Sequence, residues 1–117
     1  QYSDNKFDIS ISSEVLEHVK EYSMEDASLK EIKRVTKKNG LIIIGTPNNE
    51  LVKDHGFSYT EIYKLFQKHF SKFCIFENAL IPLVYDVCHN IAKFEKYNID
   101  TRLLHNTHSW VIVAINN

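Results

Sequence analysis

The sequence predicts an α/β fold built around a mainly parallel sheet, and three observations carry this prediction. Residues 7–13 alternate apolar and polar side chains, a period of two that is typical of a strand with two unlike faces. Leu29, Ile32 and Val35 then recur at helical spacing. Residues 41–44 are apolar without interruption, which favours a central parallel strand covered by helices on both sides.

The segments around the first helix are predicted from local signals. We expect the first strand to leave into a loop over residues 13–22. A helix is expected over residues 24–38, with Ser23 and Asp26 at the spacing of a capping box. Two lysines in the last turn and Gly40 after it are typical of a helix end.

The second half of the chain predicts one more helix and two short strands. Thr60 is expected to cap a helix whose apolar face includes Ile62, Leu65 and Phe66. The strands are expected at residues 72–77 and 109–115. Between them, residues 78–108 are long for a hairpin connection, and apolar residues at spacings of three and four predict a helical insertion there. Such an insertion either covers the substrate or packs on the sheet.

Composition limits the class of protein. The chain has 117 residues, 44% hydrophobic and 25% charged, which suits a single globular domain. Its 14 basic and 15 acidic residues give a formal net charge of -1, so neither nucleic acid nor an anionic membrane is an expected partner. The apolar runs are too short to span a bilayer.

The two cysteines, Cys74 and Cys88, are too few and too far apart for a disulfide framework or a zinc site. We expect them to be buried free thiols, which points to a reducing cytoplasm.

Two motifs carry a family resemblance. Residues 7–19 read FDISISSEVLEHV, and residues 39–48 read NGLIIIGTPN. In this order, with a helix between them, they resemble the second half of the class I, Rossmann-like methyltransferases that depend on S-adenosylmethionine (SAM). The resemblance begins near Asn5 and extends to about Phe76.

The resemblance implies a partial sheet. That family binds SAM mainly through a glycine-rich turn after its first strand, and Gly40, Gly45 and Gly56 are not spaced to form one. We therefore expect residues 1–117 to be the carboxyl-terminal portion of a single methyltransferase domain. By resemblance the strands are the family's fourth to seventh, in spatial order 4-5-7-6 with the last strand antiparallel.

The resemblance also implies an open sheet edge. The strand at residues 7–13 would normally pair with the family's first strand, which this chain lacks. We expect this edge either to require the missing amino-terminal half of the domain or to associate with a second copy, giving a homodimer.

Cofactor contacts are implied by position in the family. The loop after the fourth strand approaches SAM in similar enzymes, so the resemblance places Ser12, Ser13, Glu14, Val15 and Leu16 beside the cofactor. In a doubly wound sheet, ligands lie beyond the carboxyl ends of the strands.

His18 and His55 are the candidate catalytic bases, because imidazole titrates near neutral pH and methyl transfer to a hydroxyl needs a proton acceptor. A second resemblance concerns the small-RNA 3′-terminal 2′-O-methyltransferases, in which two glutamates and two histidines hold a divalent metal. The matching residues here are Glu14, Glu17, His18 and His55. Carboxylate and imidazole form a chemically suitable shell for such an ion. The leading interpretation contains no metal.

Three functions stay open at this point. The first is SAM-dependent methylation of a small-molecule, sugar or lipid-linked acceptor by the full-length enzyme, with this portion alone inactive. The second is metal-dependent 2′-O-methylation of RNA 3′ ends. The third is a degenerate methyltransferase fold that serves as a binding or scaffold protein.

Overall fold

The computed structural model describes residues 1–49, 55–79 and 107–117. Strands and short helices alternate over the first half, as expected for an α/β fold. The elements in chain order are β1 (Phe7–Ser13), α1 (Leu16–Lys20), α2 (Glu25–Val35), β2 (Thr36–Pro47), α3 (Tyr59–His69), β3 (Phe73–Ala79) and β4 (Thr107–Ile115).

The four strands form one sheet in the order β1-β2-β4-β3. β1 and β2 are parallel, and β4 lies antiparallel between β2 and β3. This order and the antiparallel last strand confirm the predicted 4-5-7-6 arrangement. Among the described strands, β1 pairs with β2 alone, so β1 forms the expected open edge. Association of two copies at this edge stays a prediction.

The first helix is shorter than predicted and the strand after it is longer. α2 ends at Val35 instead of residue 38, and β2 already begins at Thr36. Thr36 is fully buried and pairs with Phe7 of β1. The Asn116 side-chain amide donates to the carbonyl oxygen of Thr36 at 2.7 Å. These long-range contacts stabilise the extended conformation, which the local helix-end signals do not reveal.

The start of each described longer helix also differs from the prediction. Ser23 does not cap α2: it has a φ of 55°, and Met24 is the N-cap residue without a side-chain cap bond. α3 is capped by Ser58 and not by Thr60. The Ser58 hydroxyl accepts from the Glu61 N–H and the Glu61 carboxylate accepts from the Ser58 N–H, which is a complete capping box.

The hydrophobic core lies on one face of the sheet. Leu29 of α2 and Phe66 of α3 pack there against the central strands and are fully buried, as is Ile112 of β4. The other face carries apolar side chains that stay partly or largely exposed, including Ile11 at 68% and Phe76 at 56%. Strand alternation therefore divides the sheet into one covered and one open apolar face.

A polar contact joins α2 and α3. The His69 Nε2 atom lies 2.6 Å from the Asp26 Oδ1 atom, and the side chain of His69 is only 8% exposed. The His69 side chain is thus buried at the contact between the two helices. The His69 hydrogen bond holds the pKa of Asp26 below its usual value.

The remaining expectations have mixed outcomes. The two short strands are present, and they extend to Ala79 and back to Thr107, inside the segment predicted as an insertion. The predicted insertion helix lies outside the described residues.

Cys74 is free, as expected, but exposed, because it lies on the open face of an outer strand. Among the described residues, no helix is both long and apolar enough to cross a membrane.

Candidate functional site

The candidate site lies where β1 and β2 end. The two strands run parallel, with Ser13 opposite Gly45, so both carboxyl ends reach the same edge of the sheet. This is the edge at which doubly wound sheets bind ligands. The turn after β1 leads directly into α1, while β2 continues to Pro47.

The five residues predicted beside the cofactor fall into two groups. Ser12 is half-buried, and Ser13, Glu14 and Val15 are exposed at the strand end. Glu14 has a φ of 54°, and its N–H donates to the Gly45 carbonyl at 2.9 Å, which fixes a sharp turn. Leu16 is 3% exposed and belongs to the hydrophobic core. The first four residues thus present polar groups and backbone to the strand end, whereas Leu16 anchors α1.

α1 carries a buried carboxylate. This short helix occupies half of the loop expected over residues 13–22, and Glu17 on it is only 2% exposed. The Thr46 hydroxyl donates to Glu17 Oε2 at 3.0 Å. Glu17 Oε1 is also buried and has no hydrogen-bond partner among the residues that the structure describes. A buried carboxylate oxygen without a donor is costly, which is typical of a group kept for a ligand.

The two predicted histidines meet beside this carboxylate. The rings of His18 and His55 have centroids 4.9 Å apart, although 36 residues lie between them in sequence. His18 Nε2 is 3.8 Å from Glu17 Oε1, and His55 Nδ1 is 4.0 Å from Glu21 Oε1. Glu17, His18 and His55 offer ligand atoms that all lie within 4.8 Å of one another. Glu14, the fourth residue of the predicted metal set, is not part of this group.

Backbone contacts hold the segment after His55 against the end of β2. The Phe57 N–H donates to the Pro47 carbonyl at 3.0 Å, and the Trp110 indole N–H donates to the Phe57 carbonyl at 2.8 Å. Gly56 has a φ of 113°, which L side chains rarely adopt, and a Cβ there would lie 2.2 Å from the Pro47 carbonyl oxygen. Glycine is therefore required for the close approach that carries His55 to His18.

Lys20 connects α1 to the segment around Gly56 and to the start of α3. Its ammonium donates to the Gly56 carbonyl at 2.9 Å and to Glu61 Oε1 at 3.1 Å, and it lies 4.5 Å from the centroid of the Phe57 ring. Glu61 also accepts from the Asn49 side-chain amide at 3.1 Å. Burial opposes the ionisation of Glu61, but the donors from Ser58 and Lys20 outweigh it and hold the pKa of Glu61 below its usual value.

These contacts border a cleft of about 380 Å³, large enough for a small organic molecule. Its lining residues come from α1 and its C-cap, from positions between β2 and α3, and from the first turn of α3: Glu17, Lys20, Glu21, Asn49, Gly56 and Glu61. Of these residues, only Glu17 was predicted from the sequence as a site residue. The spacing of Ser58 and Glu61, a capping-box signature, could have placed Glu61 at the start of a helix near the site.

Comparison with known proteins supports a single family. Residues 1–44 match the family model described as a methyltransferase domain. No curated protein matches the chain significantly. Residues 1–44 contain β1, the candidate turn, α1 and α2, so the match includes Glu17 and His18 but not His55.

Solved structures share the fold. A SAM-dependent methyltransferase from Thermotoga maritima is 18% identical, with a TM-score of 0.64 over 99% of this chain and 59% of its own. The partner of the Trm112 methyltransferase activator, in a complex from Haloferax volcanii, is 18% identical, with a TM-score of 0.65 over 98% of this chain and 56% of its own. This chain therefore spans less than two thirds of the length of these proteins.

A third similar structure contains the cofactor product. The phosphoethanolamine N-methyltransferase 2 of Haemonchus contortus, in complex with phosphomonomethylethanolamine and S-adenosylhomocysteine, is 16% identical. Its TM-score is 0.59 over 98% of this chain and 34% of its own. Taken with the match of residues 1–44 to a methyltransferase domain, these structures show that this chain has the fold of the class I, Rossmann-like SAM-dependent methyltransferases.

Proposed function

We propose that the whole protein transfers a methyl group from SAM to a small-molecule, sugar or lipid-linked acceptor. The pair of imidazoles at the carboxyl edge of the sheet is the observation that carries this proposal. His18 and His55 come from different segments, and their ring centroids lie 4.9 Å apart, next to the turn that the family resemblance implies to be beside SAM. A proton acceptor beside a methyl donor is what methylation of a weakly acidic group requires.

Each part of the site has a role in this proposal. When bound, SAM supplies an electrophilic methyl group on a sulfonium. Ser12, Ser13 and Val15 would contact SAM at the end of β1. Their side chains are available for this contact because they are half-buried or exposed and do not pack in the hydrophobic core. His18 or His55 would accept the proton of the acceptor. Glu17 would orient His18, since its Oε1 atom lies 3.8 Å from His18 Nε2.

The test is calorimetric titration of SAM into this chain and into the product of the longest reading frame that contains it. We expect binding by the longer product, and loss of methyl transfer with retained SAM binding in its His18→Gln and His55→Gln variants. Control variants at Glu31, an exposed residue of α2, should keep both. Absence of SAM binding by both products would contradict the proposal and favour a scaffold function.

The metal-dependent alternative is favoured by one specific observation, the group of Glu17, His18 and His55. Carboxylate and imidazole donors suit Mn²⁺, Zn²⁺ and related ions. Donors on one such ion lie about 3 to 3.5 Å apart. The 3.8 Å between Glu17 Oε1 and His18 Nε2 would therefore have to shorten on binding. In this alternative the metal would polarise a ribose hydroxyl at an RNA 3′ end.

Chelation tests the alternative directly. If a metal is required, methyl transfer to RNA 3′ ends should stop in EDTA and resume with added Mn²⁺. In the Glu17→Ala variant, added Mn²⁺ should not restore the activity. Full activity in chelator would end the metal hypothesis and leave the leading proposal unaffected.

We also propose a partner and a compartment. A second copy or the remaining part of the domain would pair with the open edge of β1. Sedimentation of a well-folded monomer with slow amide exchange along β1 would contradict this pairing. We also propose a cytoplasmic location, since the exposed thiol of Cys74 suits a reducing compartment.

A further inference from the structure

The charges around the cleft are not balanced. Its lining includes three carboxylates, from Glu17, Glu21 and Glu61, and one ammonium, from Lys20. Lys20 pairs with Glu61 at 3.1 Å. The carboxylates of Glu17 and Glu21 therefore have no matching cation among the lining residues. His18 and His55, which face these two carboxylates, are cations only when protonated.

Glu17 supplies an independent sign that the cleft is built for a ligand. Its side chain is fully buried, and Thr46 satisfies only one of its two oxygens. The other oxygen, Oε1, has no donor in the described part of the chain. The nearest ionisable group, His18 Nε2, is 3.8 Å away, beyond hydrogen-bond distance. A ligand that donates a charged N–H here would complete the coordination of the carboxylate.

Lys20 illustrates how this cleft accommodates an ammonium group. Its Nζ atom has a backbone carbonyl at 2.9 Å, a carboxylate oxygen at 3.1 Å and an aromatic ring face at 4.5 Å. The unmatched half of the cleft has two carboxylates, and an imidazole lies within 4.0 Å of each of them. Acceptors bound to one tetrahedral ammonium lie about 4.5 Å apart, which suits the present spacing better than the shorter spacing around a metal ion.

We propose that this cleft binds a primary ammonium group of the methyl acceptor, held by Glu17 and Glu21. The inference rests on the proposed function and narrows its acceptor class to amines, or to molecules that carry an amine beside the methylated group. If the amine itself is methylated, its proton would pass to the ring nitrogen of His18 or His55. The freed nitrogen lone pair would then form the bond to the methyl carbon as the carbon–sulfur bond of SAM breaks and S-adenosylhomocysteine leaves.

The experiment uses ethylammonium chloride as the probe and the isotope-labelled chain, with NMR shifts of the amides of His18, Glu21 and Gly56 as the readout. Ionic strength is held constant with sodium chloride. We expect saturable shifts in the millimolar range. Ethanol, the neutral counterpart, should give none. Glu17→Gln should weaken ethylammonium binding about fivefold or more, the effect of losing one charge pair.

Two further variants make the result decisive. Glu31→Gln removes a carboxylate that pairs with Arg34 on the exposed side of α2, and it should bind the probe as the parent chain does. Glu21→Gln changes an exposed side chain of the cleft and should weaken binding even if Glu17→Gln disturbs folding. Equal binding by the Glu21→Gln and Glu31→Gln variants would overturn the proposal.

The remaining outcomes are also distinguishable. Saturable shifts with MnCl₂ and none with ethylammonium would assign the cleft to a metal and overturn the inference. SAM binding by the longer product without ethylammonium binding would refute the amine and leave methyl transfer intact. Ethylammonium binding without SAM binding by either product would support the ammonium cleft and refute the proposed function.

Discussion

Gly56→Ala is the substitution that tests the geometry of the site most directly. At the present φ of 113°, the added Cβ would lie 2.2 Å from the Pro47 carbonyl oxygen, where ordinary contacts begin at 3.4 Å. The backbone must therefore move by about 1 Å. An unfavourable positive φ costs about 1 to 3 kcal/mol, and forced repacking costs about 1 to 3 kcal/mol more. We expect a loss of about 2 to 6 kcal/mol in the free energy of unfolding.

Gly45→Ala is the matched control. A Cβ at Gly45 would lie 3.4 Å from Ser13 Oγ, an ordinary contact. Its expected effect is below about 1 kcal/mol, because alanine loses less chain entropy than glycine and meets no obstacle. Both substitutions add the same methyl group near the same strand end, so their difference measures the requirement for glycine at position 56.

Urea unfolding followed by Trp110 fluorescence is the assay. The chain has one tryptophan, and its indole N–H donates to the Phe57 carbonyl, next to the substituted residue. With a denaturant slope of about 1.5 kcal/mol/M, a loss of 3 kcal/mol would lower the midpoint by about 2 M. NMR contacts between the His18 and His55 rings should disappear as well. Equal midpoints for the two glycine variants would refute the geometry described for residues 55–57.

Three further predictions concern stability. Ser58→Ala should cost about 1 kcal/mol in urea unfolding by removing the cap of α3, whereas Thr60→Ala should cost much less; the reverse order would contradict the observed capping box. Thr46→Val should cost about 1 to 3 kcal/mol, because the buried carboxylate of Glu17 loses its hydroxyl donor, and Thr46→Ser should restore stability. The pKa of Asp26 is lowered, so its contribution to stability is present above its usual value of 3.8 and is lost as the pH falls through the lowered value. As the pH is lowered from about 6 to about 2, the urea midpoint of the Asp26→Asn variant should therefore fall less steeply than that of the parent chain.

The sequence was sufficient for the fold because its strongest signals are local and periodic. Alternation in β1 and the uninterrupted apolar run of β2 predicted the parallel pair, and both strands are present. Boundaries were less predictable. The lysines after Val35 resemble the last turn of a helix, but the burial of Thr36 and the amide of Asn116, 80 residues away, make this stretch a strand. Contacts at such separation leave no local pattern.

The site was predictable only in part. The sequence motif predicted His18 and His55 as candidates, and the structure places their rings side by side. The motif could not indicate that one oxygen of Glu17 is buried without a donor, because this burial follows from how α1 packs on the sheet. Lys20 was also missed, because an isolated lysine carries no signal until the segment at Gly56 folds over it.

The position of β4 has a consequence for biosynthesis. Of the four described strands, β4 is the last to leave the ribosome, yet it lies between β2 and β3 and pairs with both. Until it emerges, the edges of β2 and β3 that pair with β4 both stay open, a condition that favours association with other chains. The joining of β2 and β3 into one sheet must therefore wait for residues 107–115, and slow translation of this stretch would lengthen the period in which chaperones are needed.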